Sequence, residues 1–126
     1  MNEPHKRVVL FYKYFIDEGS LILSSVAVED IKALIHDTCT TLHMKGRVLI
    51  AQEGINGTLS AVNQQAMDHF IQKIESYTVQ KTQIFRRIDW KLSGVNDDLA
   101  ERNRQPFPDL KLSIVKEIVS TGNAIQ

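Results

Sequence analysis

The chain has 126 residues, 43% of them hydrophobic, which suits one domain with an ordinary apolar core. Fifteen basic and fifteen acidic side chains cancel, so net charge makes no case for nucleic acid, a membrane surface or an acidic substrate, and any such partner must be met by a local patch. The single cysteine, Cys39, cannot close an internal disulfide, which fits a reducing compartment.

Residues 1–7 are polar and read as a flexible N-terminus. The apolar run that follows is interrupted by Lys13 and ends at Asp17, so it is neither a signal peptide nor a membrane span, and the cytoplasm is the expected location. Val8 to Phe15 is rich in β-branched and aromatic residues and is predicted as the first strand, leaving through Asp17-Glu-Gly-Ser20. From Ser25, read as an N-cap, Ile31, Leu34, Ile35, Thr38 and Leu42 recur at helical spacing; Glu29 and Asp30 fall in the first turn, and Gly46 can end the helix. Gly46 to Ser60 then reads as a hairpin, with strands near 47–52 and 58–62 around a Glu53-Gly-Ile-Asn-Gly57 connection. Gly54, Asn56 and Gly57 there are residue types that tolerate positive φ.

Asn63 is predicted to cap a second helix whose apolar face is Met67, Phe70, Ile71 and Ile74. A fourth strand is predicted from Ile84 to Leu92. Residues 95–105 are polar and longer than a compact connection needs, which reads as a mobile loop. Pro106-Phe-Pro108 stiffens the chain before a further strand over Leu110 to Val119, where Leu112, Ile114 and Ile118 alternate with Lys111, Ser113 and Glu117. Residues 120–126 read as a tail.

The resulting order, β-α-β-β-α-β plus an extra C-terminal strand, is the split arrangement of an α+β ferredoxin-like domain spanning residues 8–119. Two helices pack on one face of an antiparallel sheet, and the other face is open.

Local charge is uneven. Arg86, Arg87 and Lys91 fall in the predicted fourth strand, Arg102 and Arg104 in the long loop, and Lys111 and Lys116 in the last strand. Clusters of this kind hold phosphates through charge-assisted hydrogen bonds. If the fourth strand is regular, Ile84, Ile88, Trp90 and Leu92 face one way and Arg87 and Lys91 the other. A solvated surface neutralised by Asp89, Asp97, Asp98 and Glu101 is the plainer reading. The hairpin motif, Glu53, Gly54, Ile55, Asn56, Gly57 and Thr58, is explained by turn chemistry except for Glu53, which a turn does not require. His36, Cys39 and His43 share helical spacing, but the histidines point away from the apolar face and no second ligand cluster accompanies them, so no metal is expected. Cys39 also lacks the glycine-rich loop or neighbouring arginine that would lower a thiol pKa. An RNA-recognition motif shares the split topology, and Lys45-Gly46 begins like its signature. Arg47-Val-Leu-Ile-Ala51, however, carries no aromatic on which a base could stack, and Tyr12, Tyr14 and Phe15 read as core, so RNA contact is expected through charge and shape.

The Val9-Leu-Phe-Tyr-Lys-Tyr-Phe15 opening, the Glu53-Gly-Ile-Asn-Gly-Thr58 core, Gln105-Pro-Phe-Pro-Asp-Leu-Lys111, Lys116-Glu-Ile-Val119 and Gly122 together resemble one family. They are similar to the N-terminal acylphosphatase-like domain of rhodanese-containing tRNA uridine hydroxylases. The resemblance implies a tRNA-modifying enzyme that hydroxylates wobble uridine with molecular oxygen, its reactive cysteine lying in a downstream rhodanese domain. What it implies for this chain is an isolated or truncated accessory domain without that rhodanese domain. Such a domain is monomeric, needs no cofactor, has no catalytic residues of its own, and holds tRNA through Arg86, Arg87, Lys91, Arg102, Arg104, Lys111 and Lys116. A module that docks the rhodanese domain or another protein through the open sheet is the alternative. Acylphosphatase activity is disfavoured: the first loop, Ile16 to Leu21, holds two carboxylates and no arginine, and Ile50 stands where the family's asparagine is expected.

Overall fold

The computed structural model describes residues 7–15, 23–79, 81–86, 88–94 and 107–118. Its elements are β1 (Arg7–Tyr14), α1 (Ser25–Thr41), β2 (Lys45–Ala51), β3 (Gly54–Ala61), α2 (Gln64–Glu75), β4 (Lys91–Gly94) and β5 (Leu110–Ile114). The sheet order is β4-β1-β3-β2-β5. The first four strands pair antiparallel as the split topology requires, whereas β5 joins the β2 edge in parallel, so the sheet is mixed rather than wholly antiparallel.

Both helices begin on side-chain caps. The Ser24 hydroxyl accepts from Ala27 N at 3.1 Å, and the Asn63 side chain accepts from Ala66 N at 2.8 Å. The first cap thus lies one residue before the predicted Ser25, which moves Glu29 and Asp30 out of the first turn. Gly46 is not the helix terminator either. Leu42 caps α1, His43 takes the left-handed conformation with φ 59°, and Gly46 lies inside β2.

Strand alternation sorts the sheet into two faces. Val9, Phe11 and Phe15 of the first strand and its exit, Val48 and Ile50 of β2, and Ile55 and Leu59 of β3 turn toward the helices. They meet Val28, Ile31, Ile35 and Cys39 of α1 and Met67, Phe70 and Ile74 of α2 in one core. Gly57 belongs to this face because a Cβ there would collide with the Phe11 ring. Thr38, counted with the apolar face, is buried and donates its hydroxyl proton to Leu34 O at 2.7 Å.

Three predicted elements differ from the structure. The hairpin turns on Gln52 and Glu53 alone, so Gly54 to Gly57, predicted as the connection, is strand. Within the predicted strand from Ile84 to Leu92, residues 84–86 form a turn and 88–90 are irregular, and of the described residues from there on only Lys91–Gly94 pairs with β1. Ile84 and Phe85 are adjacent and both buried, which alternation forbids. Phe85 stacks edge-on against Phe15, with ring centroids 5.5 Å apart. The last strand is also shorter than predicted, ending at Ile114, which pairs with the inward Ile50 on the helix side yet stays 41% exposed at the sheet edge.

Candidate nucleic-acid interface on the open sheet face

The face away from the helices carries Leu10, Tyr12 and Tyr14 from β1, Asn56 and Thr58 from β3, Lys45, Arg47 and Leu49 from β2, Lys91 from β4 and Lys111 from β5. The registers Lys91↔Leu10↔Thr58↔Arg47↔Lys111 align one row across all five strands. At about 4.8 Å per strand its end cations stand roughly 19 Å apart along the sheet.

Each cation has a distinct setting. Lys91 lies 2.9 Å from Asp89, and both side chains are about 70% exposed; such a pair contributes little and yields readily to a phosphate. Arg47 is fixed instead. Its guanidinium contacts the Asp109 carboxylate at 2.8 Å, donates to Gly46 O at 2.8 Å and to Asp109 O at 2.9 Å, and lies over the Phe107 ring. Together with Gly46 N donating to Asp109 O, it locks the start of β5 onto β2. Among the described residues no carboxylate pairs with Lys45 or Lys111.

Of the cations singled out from sequence, the structure brings Lys91 and Lys111 onto this face. Arg86 lies exposed in the Ile84–Arg86 turn, on no strand face. Lys116 follows β5 and lines a hollow with Ser25 and Glu29 near the start of α1. Arg87, Arg102 and Arg104 lie outside the described residues, as do Asp97, Asp98, Glu101 and the first-loop residues Ile16 to Leu21. Sequence reasoning missed Lys45 and Arg47, although their alternation with the inward Gly46 and Val48 carries the signal. It also misplaced Tyr12 and Tyr14. Only Phe15 of that aromatic group is core, while the two tyrosines sit edge to face on the open side, centroids 5.2 Å apart.

Glu53 has a structural use. Its carboxylate accepts from Ile118 N at 2.8 Å, and the Tyr14 hydroxyl donates to Ile118 O at 2.8 Å. The two ends of one peptide residue are thereby pinned to the hairpin tip and to β1, and Ile118 is buried. We expect Glu53→Ala to destabilise the fold by about 1–3 kcal/mol in urea denaturation, because it strands the Ile118 amide. Glu53→Gln, which keeps an acceptor oxygen, should cost less than half as much.

Cys39 is fully buried, and burial pushes its thiol up from the ordinary 9.0 to about 12. At pH 8 it therefore resists a colorimetric disulfide reagent in the folded protein and reacts within the mixing time in denaturant. The folded pKa is raised, so the stability gained from keeping the thiol neutral is complete below pH 9 and is lost as pH rises through about 12. His36 and His43 are exposed, away from Cys39, and among the described residues no three His, Cys, Asp or Glu side chains converge on a metal position. No helix of the described residues is long and apolar enough to cross a membrane.

The model of the UPF0176 acylphosphatase-like domain matches residues 6–118. The chain belongs to this family. A tRNA uridine(34) hydroxylase of Streptococcus agalactiae serotype III is 31% identical over 116 residues, 92% of this chain and 29% of that protein. The Streptococcus pyogenes serotype M5 protein of the same name is 30% identical over the same shares. The chain thus spans about three-tenths of the length of the curated relatives it matches. Among solved structures, a bacterial light-regulated adenylyl cyclase superposes with a TM-score of 0.59 at 17% identity, covering 94% of this chain and 30% of that one, a likeness of fold alone.

Proposed function

We propose that this domain is an accessory tRNA-binding module. It positions substrate within a tRNA uridine hydroxylase-like protein whose chemistry resides in a partner rhodanese domain, and it is not catalytic alone. The observation that carries this reading is the cation row Lys91, Arg47 and Lys111, with Lys45 beside it, on a sheet face that neither helix covers. A row of separated cations suits a phosphate chain, each contact adding a salt-dependent increment to affinity. The names of the streptococcal relatives supply the RNA class. Cys39, sealed in the core as a neutral thiol, cannot act as a nucleophile, which is consistent with a supporting role.

The test is titration of the purified chain with tRNA at two salt concentrations, beside a Lys91→Ala, Lys111→Ala double variant. Binding should weaken steeply with salt. The variant should lower the slope of log affinity against log salt by about 1.4–1.8, the share of two phosphate contacts. Absence of binding at low salt would overturn the proposal. Salt-independent capture of a protein partner would instead favour docking through Leu10 and Leu49, which are 47% and 40% exposed on the same face.

A further inference from the structure

Asn56 is the residue that the fold does not explain. Asparagine is disfavoured inside strands and favoured in turns and caps, yet Asn56 stands in mid-β3, the central strand, between Tyr12 of β1 and Leu49 of β2. Its amide caps nothing, and among the described residues neither it nor the Thr58 hydroxyl has a hydrogen-bond partner. Both line a hollow of about 180 Å³ with Leu10, Tyr12, Asp89 and Lys91. Drug-sized ligands occupy pockets from about 300 Å³ upward, so this one accepts a single flat ring. Its lining combines an aromatic and an aliphatic side chain with an amide and a hydroxyl on one sheet face, and a lysine already leaning on a carboxylate. Lys91 and Asp89 form an exposed pair 2.9 Å apart beside these groups, and Lys91 can leave Asp89 to meet the phosphate of a nucleotide whose base enters the hollow.

We propose that this hollow is a nucleobase subsite for an unpaired RNA base, which stacks against Tyr12 and hydrogen-bonds through its edge to Asn56. The inference rests on the tRNA-binding reading and adds to it a second kind of contact, stacking, to charge. RNA-recognition motifs and OB-folds recognise single-stranded nucleic acid in this manner, stacking bases on aromatics of an open sheet. The Asn56 amide offers one donor and one acceptor, which matches the adjacent donor and acceptor of a pyrimidine edge in either orientation. The subsite is therefore tolerant of which pyrimidine enters.

The experiment titrates the chain at low salt with a short labelled oligouridylate and with an abasic ribose-phosphate chain of equal length. Oligouridylate should bind about 5-fold or more tightly than the abasic chain. Tyr12→Ser and Asn56→Ala should each abolish most of that preference and leave abasic affinity unchanged. Tyr12→Phe should retain it, and Lys111→Ala should weaken both probes alike. Equal affinity for the two probes, or a preference that survives Tyr12→Ser or Asn56→Ala, overturns the subsite. If tRNA still binds in a salt-sensitive manner in that case, the phosphate-holding role stands without it. If tRNA and both probes all fail to bind, both readings fall. Thermal melts check each variant, and if Tyr12→Ser does not fold, Asn56→Ala decides alone.

Discussion

Gly46→Ala should lower the melting temperature by on the order of 10–20 °C, corresponding to about 3–5 kcal/mol. Gly46 lies in β2 at φ 145°, where side-chain-bearing residues are strained. A Cβ built there would overlap the Thr58 carbonyl oxygen and stand 2.8 Å from Leu59 Cα, both of them backbone in the neighbouring central strand. Backbone in the middle of a sheet cannot rotate aside as a side-chain tip can, so relief requires β2 and β3 to separate. The same residue donates its N–H to Asp109 O and accepts from Arg47 through its carbonyl, so separation also loosens β5 and the Lys111 end of the cation row. A domain of this size has about 5–15 kcal/mol in total, and the variant should remain folded only at low temperature. A melt followed by far-ultraviolet circular dichroism checks this. A shift under about 3 °C would mean that the strands yield freely at this point.

The helices were legible because their signals are local: period 3.6 on one face and a capping serine or asparagine within a residue of the start. The hairpin shows where local reading stops. Asn56-Gly57 is the strongest short-range turn signal in the chain, yet a reversal there would divide Ile55 from Leu59 and turn Ile55 to the open face. Keeping both in one strand places them together in the core opposite Ile50 and Gly46, and the turn moves to Gln52-Glu53. Burial of two large side chains outweighs the preference of two turn residues. Glu53 was unreadable for a different reason, since its partner is the backbone of Ile118, 65 residues away. Tyr12 was misjudged because an isolated strand does not announce which face a helix will cover. The alternation was visible, but its sense depended on packing.

Phe70→Ala should cost about 3–5 kcal/mol and, unlike Gly46→Ala, should act on the opposite edge of the sheet. The Phe70 ring is buried in α2, 6.4 Å from Phe11 and 6.2 Å from Trp90, and Phe11 and Trp90 are themselves 5.3 Å apart, so the three rings form one cluster. Trp90 is held at its other end as well, its indole N–H donating to Glu75 at 2.7 Å. That indole immediately precedes Lys91 and the short edge strand, whose pairing with β1 among the described residues is Lys91–Gly94. Four residues of pairing are a weak anchor, and the aromatic cluster supplies what the ladder lacks. Loss of Phe70 leaves a cavity beside Trp90, so its fluorescence should shift to the red and become more accessible to a neutral quencher. Phe70→Leu, which refills most of the space, should recover at least half of the stability. In the folded Phe70→Leu protein the Lys91 rim loses definition while Lys111 keeps its place, so oligouridylate binding should fall further than binding of the abasic chain. Equal losses for both probes would separate the cluster's contribution to stability from any contribution to the shape of the open face.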